Sequence, residues 1–168
     1  LLSRGAWLQP GCFMVRMSAF DDSNPNRYIF PTRRGQDWQM LLPIMYKYKC
    51  GFIDEPLYEY YIRKGSMSDQ TNDILETVLH RYDMYEELIT ETVKHMNISN
   101  CSMYIQMVHN HYLEEKLGRS FDYCDKNKAK IFFNELRKNK AVTPKALVKY
   151  LLVQTPFLNN VINRLRSR

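Results

Sequence analysis

Apolar positions along the chain keep one rhythm after residue 68 and another before it. From Ile74 through Val78, Tyr82, Tyr85, Ile89, Val93 and Met96 they recur every three or four residues, the spacing of one buried helical face sustained for about seven turns. This predicts one long helix, with Ser68, Asp69 or Thr71 available to cap it. Further helices are expected over Ser102 to Leu117, over Lys128 to Lys138, and from Thr143-Pro144, where a cap residue precedes proline at the first helical position. Upstream, Trp38, Leu41, Leu42, Met45 and Tyr46 predict a helix after Gly35, shortened or kinked by Pro43. The remainder of that region reads differently. "GCFMVRMSAF" is expected to be a buried strand running into a short helix or turn, "DDSNPNRYIFPTRR" a polar loop, and "GFIDEPLYEYYIR" two short strands hinged at Glu55-Pro56.

These elements predict an α+β chain, mostly helical: a small strand-containing part over residues 1 to 68 and a helical bundle over 69 to 168. At 168 residues and 45% apolar content the chain is long enough to bury a core. The opening "LLSRGAWLQPGCFMV" is interrupted by Arg4 and Pro10-Gly11 and begins with Leu1, so it fits neither a signal peptide nor a spanning helix, and the chain reads as part of something longer. Cys12, Cys50, Cys101 and Cys124 form no CxxC pair and have no histidine at ligand spacing. That argues against a zinc site and a disulfide scaffold, and for reduced thiols in a cytoplasmic protein.

Net charge is +6, unevenly distributed. Residues 1 to 68 hold 9 Lys/Arg against 6 Asp/Glu (+3), residues 69 to 125 hold 4 against 11 (−7), and residues 126 to 168 hold 11 against 1 (+10). Leu147, Leu151, Leu158, Ile162 and Leu165 lie among Lys145, Lys149, Arg164 and Arg166. This amphipathic basic pattern over 145 to 168 suits peripheral contact with a membrane surface, and a solvated charged face is the plainer reading. A nucleic-acid patch is disfavoured, since neither interleaved aromatics nor helix-turn-helix spacing is present.

The run from Gly11 to Ser68, with "GCFMVR", "GQDWQMLLP", "YKYKCGFIDEPLYEYYIR" and "SMS" in that order, resembles the C-terminal, acceptor-side part of bacterial family 2 glycosyltransferases, which use the GT-A fold. The resemblance covers about a third of the chain and stops at the helices. It implies an inverting transfer of sugar from a nucleotide-sugar donor to a glycan or lipid-linked acceptor, at the inner face of the membrane or in the cytoplasm. Residues 1 to 68 would be the C-terminal portion of the GT-A domain, followed by a helical region from 69 to 168.

Under this resemblance Asp37 is the general base that takes the acceptor hydroxyl proton. Taken alone, an acidic residue at a helix start is an ordinary cap, favoured by the positive end of the helix dipole. Gly35 supplies the sharp turn before it. Gln36 stands where the family more often has glutamate, which removes a second carboxylate. Trp38 is either a core residue or a flat face for a sugar ring. Arg63 and Arg16 would meet the donor diphosphate, as guanidinium groups match phosphate oxygens, and Ser66 and Ser68 fall in the loop that closes near those phosphates in relatives. Surface arginines and capping serines are the structural alternatives.

The family implies Mg²⁺ or Mn²⁺ held on the diphosphate by an Asp-x-Asp pair at a strand end. No such pair occurs here. "FDDSN" over residues 20 to 24 lies after the GCFMVR segment, in the wrong order, and is expected to be a turn. His80, His95, His109 and His111 fall in the helical part and are read as helix-face residues. The metal is therefore expected to be bound mainly by residues outside this chain. The competing expectation is a non-catalytic helical interaction module whose basic tail meets a membrane.

Overall fold

The computed structural model describes residues 11–32, 35–59, 61, 63 and 74–155. Among the described residues there are six helices and no strand: α1 Met17–Ser23, α2 Gln36–Lys47, α3 Leu75–His95, α4 Cys101–Asp122, α5 Lys126–Lys138 and α6 Pro144–Gln154. The mostly helical expectation holds. The boundary expected at 68/69 and its capping residues lie outside the described residues.

Two compact units divide the chain: residues 1–73 with 84–105, and residues 74–83 with 106–168. In the first, α1 packs against α2. Leu41 and Leu42 of α2, and Leu88, Ile89 and Val93 of α3, are buried; Ile89 and Val93, four residues apart, lie on one helical face. Pro43 lies inside α2 without ending it, although its missing N–H deprives the preceding turn of one helical hydrogen bond. Buried Gln39 clips the loop before α2 in place: its Oε1 accepts from the Phe30 amide at 2.6 Å and its Nε2 donates to the Phe30 carbonyl at 2.9 Å. One side chain thus satisfies both backbone groups of a loop residue.

In the second unit, α5 packs against α6. Leu113, Leu117, Phe121, Ala129, Phe133, Leu136, Ala146 and Val153 form its core, with the rings of Phe133 and Tyr150 stacked at 4.0 Å. Asp125 caps α5 by accepting from the Lys128 amide at 2.9 Å, and Thr143 caps α6 by accepting from the Ala146 amide at 3.1 Å. Proline follows that cap as predicted. Helix α4 runs to Asp122 rather than ending at Leu117 as expected. The stretch Gly118 to Phe121 looks like a breaker but is mostly buried, and Ser120 Oγ bonds back to the Lys116 carbonyl at 2.8 Å. Burial outweighs the weak local preference. Buried Lys116 is paired with Asp83 at 2.7 Å.

The strand expectations are corrected. Residues 13 to 16 are irregular, Met14 is 97% exposed, and the Arg16 carbonyl accepts from the Ala19 and Phe20 amides as α1 begins. Residues 49 to 59 are irregular and exposed, with Phe52 at 88%. A strand needs a ladder partner for its amides and carbonyls, and no described segment supplies one. The hinge at Glu55-Pro56 is present in a tighter form, because the Leu57 amide donates to the Glu55 carbonyl at 2.9 Å and closes a three-residue turn. The "FDDSN" turn is corrected too, since Asp21, Asp22 and Ser23 form the last turn of α1.

Candidate functional site

Gly35 has φ 69° and ψ 24°, and its carbonyl accepts from the Trp38 amide at 3.0 Å. An L side chain adopts that left-handed backbone reluctantly, so glycine is the natural residue for the turn into α2. Space reinforces the choice. A Cβ at Gly35 would lie 2.7 Å from Cδ2 of Leu88 and 3.4 Å from the Tyr85 ring. Two residues later, Asp37 stands in the first turn of α2, half-buried, at the end of the helix where backbone N–H groups point outward. Trp38 beside it is half-buried.

The other predicted residues are not joined to this turn. Arg16 is the exposed residue preceding α1, and Arg63 is exposed. No hydrogen bond or ion pair links the side chains of Arg16, Asp37, Trp38 or Arg63 to one another among the described residues. Ser66 and Ser68 lie outside the described residues.

Asp21 and Asp22 do not fit the metal role. Asp21 pairs with Arg27 at 2.8 Å, while Asp22 accepts from the Tyr48 hydroxyl at 2.9 Å and from Lys47 at 3.2 Å. The Tyr48 hydroxyl and then Lys47 hold the Asp22 carboxyl below its ordinary range. Both carboxylates therefore tie loops to helices. Among the described residues no three His, Cys, Asp or Glu side chains gather as a metal-binding group, and none of the four cysteines is in a disulfide.

Sequence spacing did not reveal a small cleft in the first unit, of about 30 Å³, lined by Ser23, Tyr28, Gln39, Thr92 and His95 among others. The Tyr28 and His95 rings stack at 3.9 Å, and His95 Nδ1 lies 2.9 Å from the Glu91 carbonyl. Ser23 Oγ is buried with no hydrogen-bond partner. The space suits a water molecule rather than a sugar, and Asp37 does not line it. The pairing of Tyr28 with His95 brings together residues 67 apart in sequence, which no periodicity signals.

Comparison with known proteins adds no relative: the chain matches no family model, no curated protein and no solved structure. No described helix is long and apolar enough to cross a membrane.

Proposed function

We propose that the chain is the acceptor-side part of an inverting family 2 glycosyltransferase, with Asp37 as its general base. The observation that carries the reading is the turn itself: a left-handed glycine, then a half-buried carboxylate in the first turn of an apolar helix, with Trp38 next to it. In this reading Asp37 takes the proton from an acceptor hydroxyl, the freed oxygen bonds to the anomeric carbon, and the nucleoside diphosphate leaves from the opposite face. Trp38 offers the acceptor ring a flat apolar wall. Arg63 and Arg16 would reach the diphosphate only when the donor and the closing loop are in place. Mg²⁺ or Mn²⁺ would screen the diphosphate charge, held mainly by residues outside this chain, and residues 1 to 68 would be the end of the GT-A domain.

Five exposed large apolar residues between Phe52 and Tyr61 are consistent with the same reading. Phe52, Ile53, Leu57, Tyr58 and Tyr61 are large exposed side chains, a surface that the donor-side half would cover in this reading. The test is Asp37→Asn in the parent enzyme: donor affinity should be nearly unchanged and transfer should fall by about 10²-fold or more. Near-normal turnover overturns the assignment. A loss confined to donor binding would move Asp37 to the nucleotide side and overturn it equally.

A further inference from the structure

Helix α6 is apolar on two sides. Ala146 and Val153 are fully buried and Tyr150 is half-buried against the second unit's core, while Leu147, Val148 and Leu151 are 42%, 55% and 54% exposed. At about 100° of rotation per residue, those three fall in a single arc about 100° wide on the side away from the core. Lys145, exposed, lies about 60° beyond one edge of this arc, past half-buried Leu152. On the outward side of neighbouring α5, Ile131 is exposed with Lys130 and Lys138 nearby in sequence. Over residues 126 to 155 the chain holds 8 Lys/Arg against Glu135 alone.

We propose that the outward face of α6 docks on an anionic lipid surface. The inference is independent of the transfer reading. Leucine and valine can enter the boundary between headgroups and acyl chains, while lysine stems reach along it and leave their ammonium groups among the phosphates. An aliphatic arc on a segment with 8 Lys/Arg against one acidic residue complements that layer in both respects. Nucleic acid is a poorer match: its bases are gripped by aromatic stacking or by guanidinium forks, and the exposed arc of α6 holds neither. With 11 residues the helix lies on the surface and does not span it.

The experiment sediments the 168-residue protein with vesicles of phosphatidylcholine, or of phosphatidylcholine mixed with phosphatidylglycerol. Binding is expected only with the anionic lipid, weakening as salt is raised. Leu147→Gln with Leu151→Gln should reduce partitioning at least about tenfold, and Lys145→Gln about fivefold. Both leucines are exposed, so circular dichroism and the thermal transition should not change. Failure to sediment with anionic vesicles overturns the proposal. So does undiminished binding by the double glutamine variant, which would reduce the effect to electrostatic adsorption. Tighter binding to a single-stranded RNA that the double glutamine variant weakens, or a dimer in sedimentation equilibrium that the glutamines dissociate, would assign the face to another occupant and overturn it as well.

Discussion

Gly35→Ala isolates the turn on which the candidate site rests. Two costs are visible in the structure. The added methyl must adopt φ near 69°, a left-handed conformation that disfavours an L side chain by about 1–2 kcal/mol. It also lands 2.7 Å from Leu88 Cδ2, and Leu88 is fully buried, so relief requires the core to shift, at about 1–3 kcal/mol. Alanine restricts the unfolded chain more than glycine does, returning about 0.4–1 kcal/mol. The net expectation is a loss of about 3 kcal/mol, measured as a fall in the urea midpoint with unchanged slope. Gly35→Asn separates the two costs, since asparagine tolerates the left-handed region but keeps the clash, and it should fall between glycine and alanine. Leu88→Ala removes the obstructing methyl. Alone it should cost about 2–5 kcal/mol, and combined with Gly35→Ala the total should fall short of the sum by about 1–3 kcal/mol. Strict additivity, or an alanine variant as stable as the parent, would refute the contact between this turn and α3.

Gln39→Leu should destabilise by about 2–4 kcal/mol in urea denaturation, because the part-buried Phe30 amide and carbonyl both lose their partner. Thr143→Ala should cost about 1–2 kcal/mol, read as a lower thermal midpoint, since the same hydroxyl caps α6 and donates to Glu114 at 2.9 Å. Asp22 and Glu76 are held below their ordinary carboxyl values, the first by Tyr48 and then Lys47, the second by hydrogen bonding from Lys128. A depressed folded-state value means stability present above the unfolded carboxyl range and lost as pH falls through the folded one. Asp22→Asn and Glu76→Gln should therefore flatten the acid limb of a stability-against-pH curve; because Asp22 and Glu76 in turn hold the Tyr48 hydroxyl and the Lys128 ammonium above their ordinary values, stability lost as pH rises through those raised values should be reduced as well. The 168-residue chain alone should give helix-rich circular dichroism and no heat on titration with a UDP- or GDP-sugar and Mn²⁺; micromolar, metal-dependent binding would show that the donor site lies within it.

Helices were legible wherever a buried face repeated often enough to leave one interpretation. Helix α3 from Leu75 to His95 and the cap-plus-proline start of α6 are local signals, and they appear where the pattern put them. The end of α4 was not legible, because Gly118 and Ser120 carry local preferences against helix and are overruled by packing in the core with α5 and α6. Strands failed for the complementary reason. The apolar content of 51 to 59 and of 13 to 16 is what a strand would have, but a strand is a property of two segments, and period alone cannot say whether the second is present.

The candidate site divides along the same line. Gly35 and Asp37 were legible because a glycine before an acidic helix start is a local device, complete within three residues. What Leu88 does to Gly35, or Gln39 to Phe30, depends on chain brought from elsewhere, and no spacing encodes it. Arg16 and Arg63 belong to the non-local class as well. Their proposed partner is a diphosphate, and no hydrogen bond or ion pair joins either side chain to Asp37 among the described residues. Arg63 becomes informative only with a nucleotide sugar present, through whether its replacement by alanine weakens the donor more than the acceptor.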